Sequence, residues 1–257
     1  MPVEKPLIFI TNDDGFKAKG LMSLIEAARP FGRILVVAPE TSQSGKSHAI
    51  TMTDPLYLRH VRSEEDLDIY ACTGTPVDCV KLAFDTIMGE RPMLALSGIN
   101  HGSNSAVSVI YSGTMGAAME SSLYNVPSIG FSLLDFREDA DFTGSIHFAS
   151  RIIEKVLTEE VDIPMCLNVN IPAIPKDEIK GVRMCRQNKG YWQEEFERRT
   201  DPRGREYYWL KGVFLNQEEG AVDTDEYALD NGYVSIVPMQ VDMTNYNQLD
   251  LMHNWKF

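Results

Sequence analysis

The stretch from Leu7 to Pro39 restricts what this chain can fold into more than any other. Leu7-Ile8-Phe9-Ile10 is a short apolar run; Leu21, Leu24, Ile25 and Ala28 then recur at helical spacing; Arg33-Ile34-Leu35-Val36-Val37-Ala38-Pro39 is a second apolar run, rich in β-branched residues. Strand, helix and strand in so short a space form a βαβ unit, which requires a parallel sheet with both faces covered. The same grammar predicts a helix over 78–88, a strand over 92–96, a helix over 114–124, a strand over 127–132, a long amphipathic helix over 142–157 and a strand over 166–170. The expected fold class is therefore α/β with a mostly parallel sheet.

After Pro172 the texture changes. Residues 176–222 are rich in charge and in aromatic, strand-like runs (Tyr191-Trp192, Tyr207-Tyr208-Trp209-Leu210), with Asp201-Pro202-Arg203-Gly204 as a hairpin turn. Such strands read as packing or subunit-contact surface. Gly232 to Pro238 reads as one more core strand. The expected organisation is a catalytic core over 1–175, a hairpin and oligomerisation extension over 176–222, and a return to the core over 223–257.

Composition matters chiefly through charge. A formal net charge of −13 repels nucleic-acid duplexes and anionic membranes, so any phosphate ligand needs a local source of positive potential. Neither a basic segment leading into a long apolar stretch at the N-terminus nor a membrane-length apolar run is present, and the default location is cytoplasmic. Cys72, Cys79, Cys166 and Cys185 lack CxxC spacing and read as buried free thiols.

In open parallel sheets ligands collect beyond the carboxyl ends of the strands. Three polar loops fall there: Thr11-Asn12-Asp13-Asp14-Gly15, the segment Glu40 to Ser47, and Ser97-Gly98-Ile99-Asn100-His101-Gly102-Ser103-Asn104-Ser105. Two carboxylates, a serine hydroxyl and an asparagine amide converging there form an all-oxygen set suited to Mg²⁺ or Mn²⁺. Gly15 lets the chain turn sharply enough for Asp13 and Asp14 to approach one ion, whose charge cancels their repulsion. Without an ion, Asp13 would cap a helix and Asp14 would be solvated.

Tyr111-Ser112-Gly113-Thr114 opens a helix, so free N–H groups and two hydroxyls form a phosphate seat or an ordinary cap. Gly74-Thr75-Pro76-Val77-Asp78 is a turn into a helix. Neither GxGxxG nor GxxxxGK[ST] occurs, and the five histidines lack zinc spacing; His101 alone is placed for proton transfer.

ITNDDG, VVAPETSQSG, TGTPVDCV, SGINHGSN and YSGTMGAAMES, with LNVNIP and DTDEYALDNGYVSIVPM further on, resemble in order and spacing the SurE family of nucleoside monophosphate phosphatases. The resemblance implies a three-layer α/β/α, Rossmann-like sheet, one divalent cation (Mg²⁺ or Mn²⁺) per subunit, and hydrolysis of nucleoside 5′-monophosphates, with 3′-nucleotides as further substrates. It implies metal ligation by Asp13, Asp14, Ser44 and Asn100, phosphate contacts from Asn104, Ser112, Gly113 and Thr114, and a homodimer or homotetramer. One departure is visible: the family loop has glycine two residues past its second asparagine, where this chain has Ala106. The expected mechanism is metal-assisted attack of water on phosphorus in line, with an aspartyl-phosphate route through Asp13 or Asp14 as the alternative. The rival readings are a non-catalytic nucleotide sensor on the same rim and a haloacid-dehalogenase-like phosphatase, whose DxDx[TV] signature is absent.

Overall fold

The computed structural model describes residues 5–160 and 162–256. Its first unit is the expected one: β1 (Leu7–Thr11), α1 (Lys19–Ala28) and β2 (Arg33–Pro39), with β1 and β2 parallel. Then come β3 (Leu58–Glu64), β4 (Leu67–Cys72), α2 (Pro76–Leu82) with a π-helical turn over Ala83–Ile87, and β5 (Leu94–His101). A 3₁₀ segment (Ala106–Tyr111) leads into α3 (Gly113–Leu123), followed by β6 (Ser128–Leu133), α4 (Thr143–Thr158) and β7 (Cys166–Ile171). The chain finishes with β8 (Val182–Met184), β9 (Gly190–Thr200), β10 (Glu206–Asn216), α5 (Asp225–Asp230), β11 (Val234–Met239) and α6 (Tyr246–Met252).

Nine strands form one sheet in the order β3-β4-β2-β1-β5-β6-β7-β11-β8. The run from β4 to β7 is parallel throughout, while β3 and β11 pair antiparallel with β4 and β7. Alternation along β1 explains the layers: Ile8 and Ile10 face the core built with α1 and α4, whereas Leu7 and Phe9 face the core built with α2 and α3. This is a three-layer α/β/α architecture. The order reverses between β1, which leads outward to β2 and β4, and β5, which leads the other way to β6 and β7. Ligands of doubly wound sheets bind at that switch point.

The hairpin β9–β10 stands apart as an antiparallel pair, its turn closed by the Asp201 carboxylate accepting the N–H groups of Arg203 and Arg205 at 2.8 and 2.9 Å. Tyr191, Phe196, Tyr208, Trp209 and Val213 on it are exposed. All four cysteines are buried and free, and no helix among the described residues is long and apolar enough to cross a membrane.

Two stretches differ from the pattern reading. Strands β3 and β4 lie outside the expected elements: β3 is exposed along its whole length, and burial alternates over residues 67–70 of β4. Residues 97–101, expected as loop, continue β5: after a break in register between Ser97 and Asn100, Asn100 pairs with Ser132 and His101 with Leu133. Such a bulge re-aims side chains beside functional sites.

Candidate active site

The switch point opens into a cavity of about 670 Å³, large enough for a nucleotide. Asp13, Ser44, Asn100, Asn104 and Ser112 line it together. Asp14, Gly113 and Thr114 are not part of this lining; Thr114 and Gly113 abut Asp13, and Asp14 accepts the His101 N–H.

Asp13 follows β1, where Gly15 at φ +102° reverses the chain and its carbonyl accepts the Asn12 amide at 3.0 Å. The Thr114 hydroxyl donates to Asp13 Oδ1 at 2.6 Å. Gly113 permits this approach, since a Cβ there would lie 2.9 Å from the Asp13 Cβ. Asp14 is half-buried, and its Oδ2 accepts the His101 N–H at 3.3 Å. Burial above all, then the adjacent Asp14 charge, pushes the Asp13 carboxyl up to about 6 against the lowering effect of the Thr114 bonds. Burial raises Asp14 as well.

The Ser44 loop is tied down on both sides. Gln43 N–H donates to the Asp13 carbonyl at 2.7 Å, while Ser47 donates through its N–H to Tyr111 O at 3.1 Å and through its hydroxyl to Ile110 O at 2.6 Å. Ser44 itself is exposed, with its Oγ 3.0 Å from that of Ser42. Asn100, at the end of β5, donates its amide to Gly102 O at 2.9 Å, leaving Oδ1 without a hydrogen bond among the described residues.

These groups fit a hard cation. One buried and one half-buried carboxylate stand side by side, neither is paired with a lysine or arginine among the described residues, and neutral oxygens face the cavity that Asp13 lines. Among the described residues no three of His, Cys, Asp and Glu gather into a metal cluster. A cation seated here would need the serine and asparagine oxygens beside the two aspartates.

The helix start at Ser112 is capped by its own hydroxyl, which accepts Met115 N–H at 3.0 Å. Thr114 turns toward Asp13, so the positive end of α3 faces both that carboxylate and the cavity. Asn104 is nearly buried, and its amide donates to Ser132 Oγ at 2.8 Å. Ala106 adopts φ +48°, the left-handed region that glycine occupies without strain, and its N–H donates to Asp225 Oδ2 at 2.8 Å. The Ser105 hydroxyl donates to Glu226. Fully buried Asp225 also accepts Asn188 N–H at 2.8 Å, so one carboxylate joins the Asn104 loop to the root of the β9–β10 hairpin. His101 packs edge-on against Phe142 at 5.1 Å between ring centroids, with Nδ1 3.3 Å from the Asp135 carbonyl.

The rest of the cavity wall lies outside the pattern reading. Phe136, Trp192, Glu194, Leu210 and Lys211 line it, and Trp192 Nε1 donates to Ser108 Oγ at 3.2 Å. Nothing in the spacing of residues 190–212 reveals that the hairpin returns to the switch point.

Fold and site together define a doubly wound α/β protein with a polar, carboxylate-bearing cavity at its sheet crossover. The family model described as survival protein SurE matches residues 8–194. A protein of Christiangramia forsetii named 5′-nucleotidase SurE is 49% identical over 99% of this chain and 98% of its own length. One of the same name from Phocaeicola vulgatus is 49% identical over 99% and 98%. The crystal structure of the SurE protein from Aquifex aeolicus superposes with a TM-score of 0.82 at 38% identity, covering 96% of this chain and 98% of that one. The chain belongs to the survival protein SurE family.

Proposed function

We propose that this chain is a metal-dependent 5′-nucleotidase, hydrolysing nucleoside 5′-monophosphates to nucleoside and phosphate. The observation that carries this reading is the convergence of Asp13, Ser44, Asn100, Asn104 and Ser112 on one cavity at the β1/β5 switch point. One Mg²⁺ or Mn²⁺ per subunit would be held by Asp13, Asp14, Ser44 Oγ and Asn100 Oδ1. A bound dication supplies Lewis acidity, polarising the phosphoryl group and making water nucleophilic near neutral pH.

This chain's own groups do the rest. Asn104, with the Ser112 hydroxyl and Gly113 N–H at the start of α3, holds phosphoryl oxygens as negative charge redistributes toward the leaving group. Thr114 acts one step back, fixing Asp13 through the 2.6 Å hydroxyl bond. Coordination of both aspartates to a cation would lower their nucleophilicity, and on that ground we favour water over a carboxylate as the nucleophile. A phospho-enzyme trapped by rapid quench would reverse that choice. His101 is the one imidazole lining the cavity among the described residues and is the acid we assign to the leaving oxygen.

The exposed aromatics of β9–β10 suit a contact between copies of the chain, giving a dimer or tetramer, with 1–175 as catalytic core, 176–222 as the extension and 223–257 as the return to the core. Four free thiols fit residence in the reducing cytoplasm. A panel of nucleoside monophosphates assayed with Mn²⁺ and with EDTA tests the central claim. Phosphate release that EDTA abolishes is the expected result; nucleotide binding without release would make the protein a sensor instead.

A further inference from the structure

Strand β7 carries two asparagines where a buried strand of a parallel sheet ordinarily carries valine or isoleucine. Asn168 is 2% exposed and Asn170 is 0%. Two residues apart, they share the face opposite Leu167, Val169 and Ile171, which pack into the α1/α4 core. Burying two primary amides is costly unless their polar groups find partners.

They find them in a closed ring. Asn104 N–H donates to Asn170 Oδ1 at 2.8 Å, Asn170 Nδ2 donates to Asn168 Oδ1 at 2.9 Å, and Asn168 Nδ2 donates to the Asn104 carbonyl at 2.8 Å. The Asn104 side chain is set separately, its Nδ2 donating to Ser132 Oγ on β6 at 2.8 Å. Both polar groups of the Asn104 backbone and its side-chain amide are thus held by the sheet rather than by their own loop. Apolar residues would fill the same space without the desolvation cost. What they cannot do is satisfy the N–H and C=O of residue 104.

We propose that Asn168, Asn170 and Ser132 are positioning residues for the hydrolysis, acting through Asn104. The inference rests on the reading that Asn104 holds a phosphoryl oxygen. One Nδ2 hydrogen goes to Ser132, which fixes the amide at the wall of the cavity that Asn104 lines and leaves the other hydrogen for a ligand. A misplacement of about 1 Å at such a contact costs roughly 100-fold in rate.

Two substitutions test this. Ser132→Ala removes the acceptor of the Asn104 amide with little change of volume. Asn170→Asp keeps the shape and the acceptor for Asn104 N–H but has no hydrogen for Asn168 Oδ1. With Mn²⁺ binding unchanged, both should lower kcat on AMP by about 30- to 100-fold with little change in KM. Each is combined with Asn104→Ala. If the residues act through Asn104, each double variant is no slower than Asn104→Ala alone, whereas a general structural role multiplies the losses.

A kcat for Ser132→Ala within about twofold of wild type, or multiplicative losses in its cycle, overturns the proposal. Should Asn170→Asp not fold, the Ser132→Ala cycle alone decides. Should the wild-type protein release no phosphate from AMP, the nucleotidase reading itself fails, and the same cycle is read from calorimetric binding of inorganic phosphate.

Discussion

Replacing Asp13 by asparagine should stabilise the metal-free protein while ending its activity. In the folded, metal-free chain the Asp13 carboxyl is raised from 3.8 to about 6, chiefly by burial and next by Asp14. A carboxyl raised on folding favours the folded state below its unfolded pKa, and that contribution is lost as pH rises through the folded value. The metal-free protein therefore loses stability between about pH 4 and pH 6, by about 3 kcal/mol for a shift of roughly two units. Asparagine keeps an oxygen for the Thr114 hydroxyl and places an amide beside Asp14, so it escapes this loss. In EDTA near pH 8 the Asp13→Asn protein should melt about 5–10 °C above wild type, and the gap should close as pH falls toward about 4.

Saturating Mn²⁺ should reverse the order. Wild type gains about 4.1 kcal/mol at a thousandfold excess over Kd, more than the deficit of about 3 kcal/mol, and the variant gains far less. Thermal unfolding at the two pH values, with EDTA and with Mn²⁺, reads all of this. An asparagine variant less stable than wild type in EDTA near pH 8, or one whose offset is independent of pH, would refute the reasoning.

Other outcomes follow from the same geometry. His101→Ala should slow AMP hydrolysis by about 100-fold yet barely affect p-nitrophenyl phosphate, whose leaving group needs no proton; equal losses on both would remove the histidine from that role. Asp225→Ala leaves the N–H groups of Ala106 and Asn188 without their acceptor and should cost about 2–5 kcal/mol in urea unfolding, with faster amide exchange at both positions. Ala106→Gly relieves the strain at φ +48° and should raise stability by up to about 1 kcal/mol at unaltered kcat, measured by the same unfolding assay. Trp192→Ala should raise KM for AMP several-fold while leaving p-nitrophenyl phosphate unaffected, because Trp192 lines the cavity from the hairpin rather than from the strand-end loops proposed to hold the phosphate.

Periodicity and turn chemistry alone disclosed the frame of the molecule. The apolar runs of β1 and β2, the spacing of Leu21, Leu24 and Ile25, and the DPRG turn are local properties, set by the strand and helix repeats and by the backbone preferences of glycine and proline. For the same reason Asp13, Asp14 and Asn100 were legible as a group: chain direction in a parallel sheet delivers successive strand ends to one rim whatever the intervening sequence. Only the fold decided what lies across that rim. The hairpin that brings Trp192 and Lys211 to the cavity, the Asp225 carboxylate that joins it to the Asn104 loop, and the turning of Thr114 onto Asp13 are contacts between segments distant in sequence. Such contacts are selected by close packing and by the need to satisfy every buried polar group, and neither condition leaves a period in the sequence.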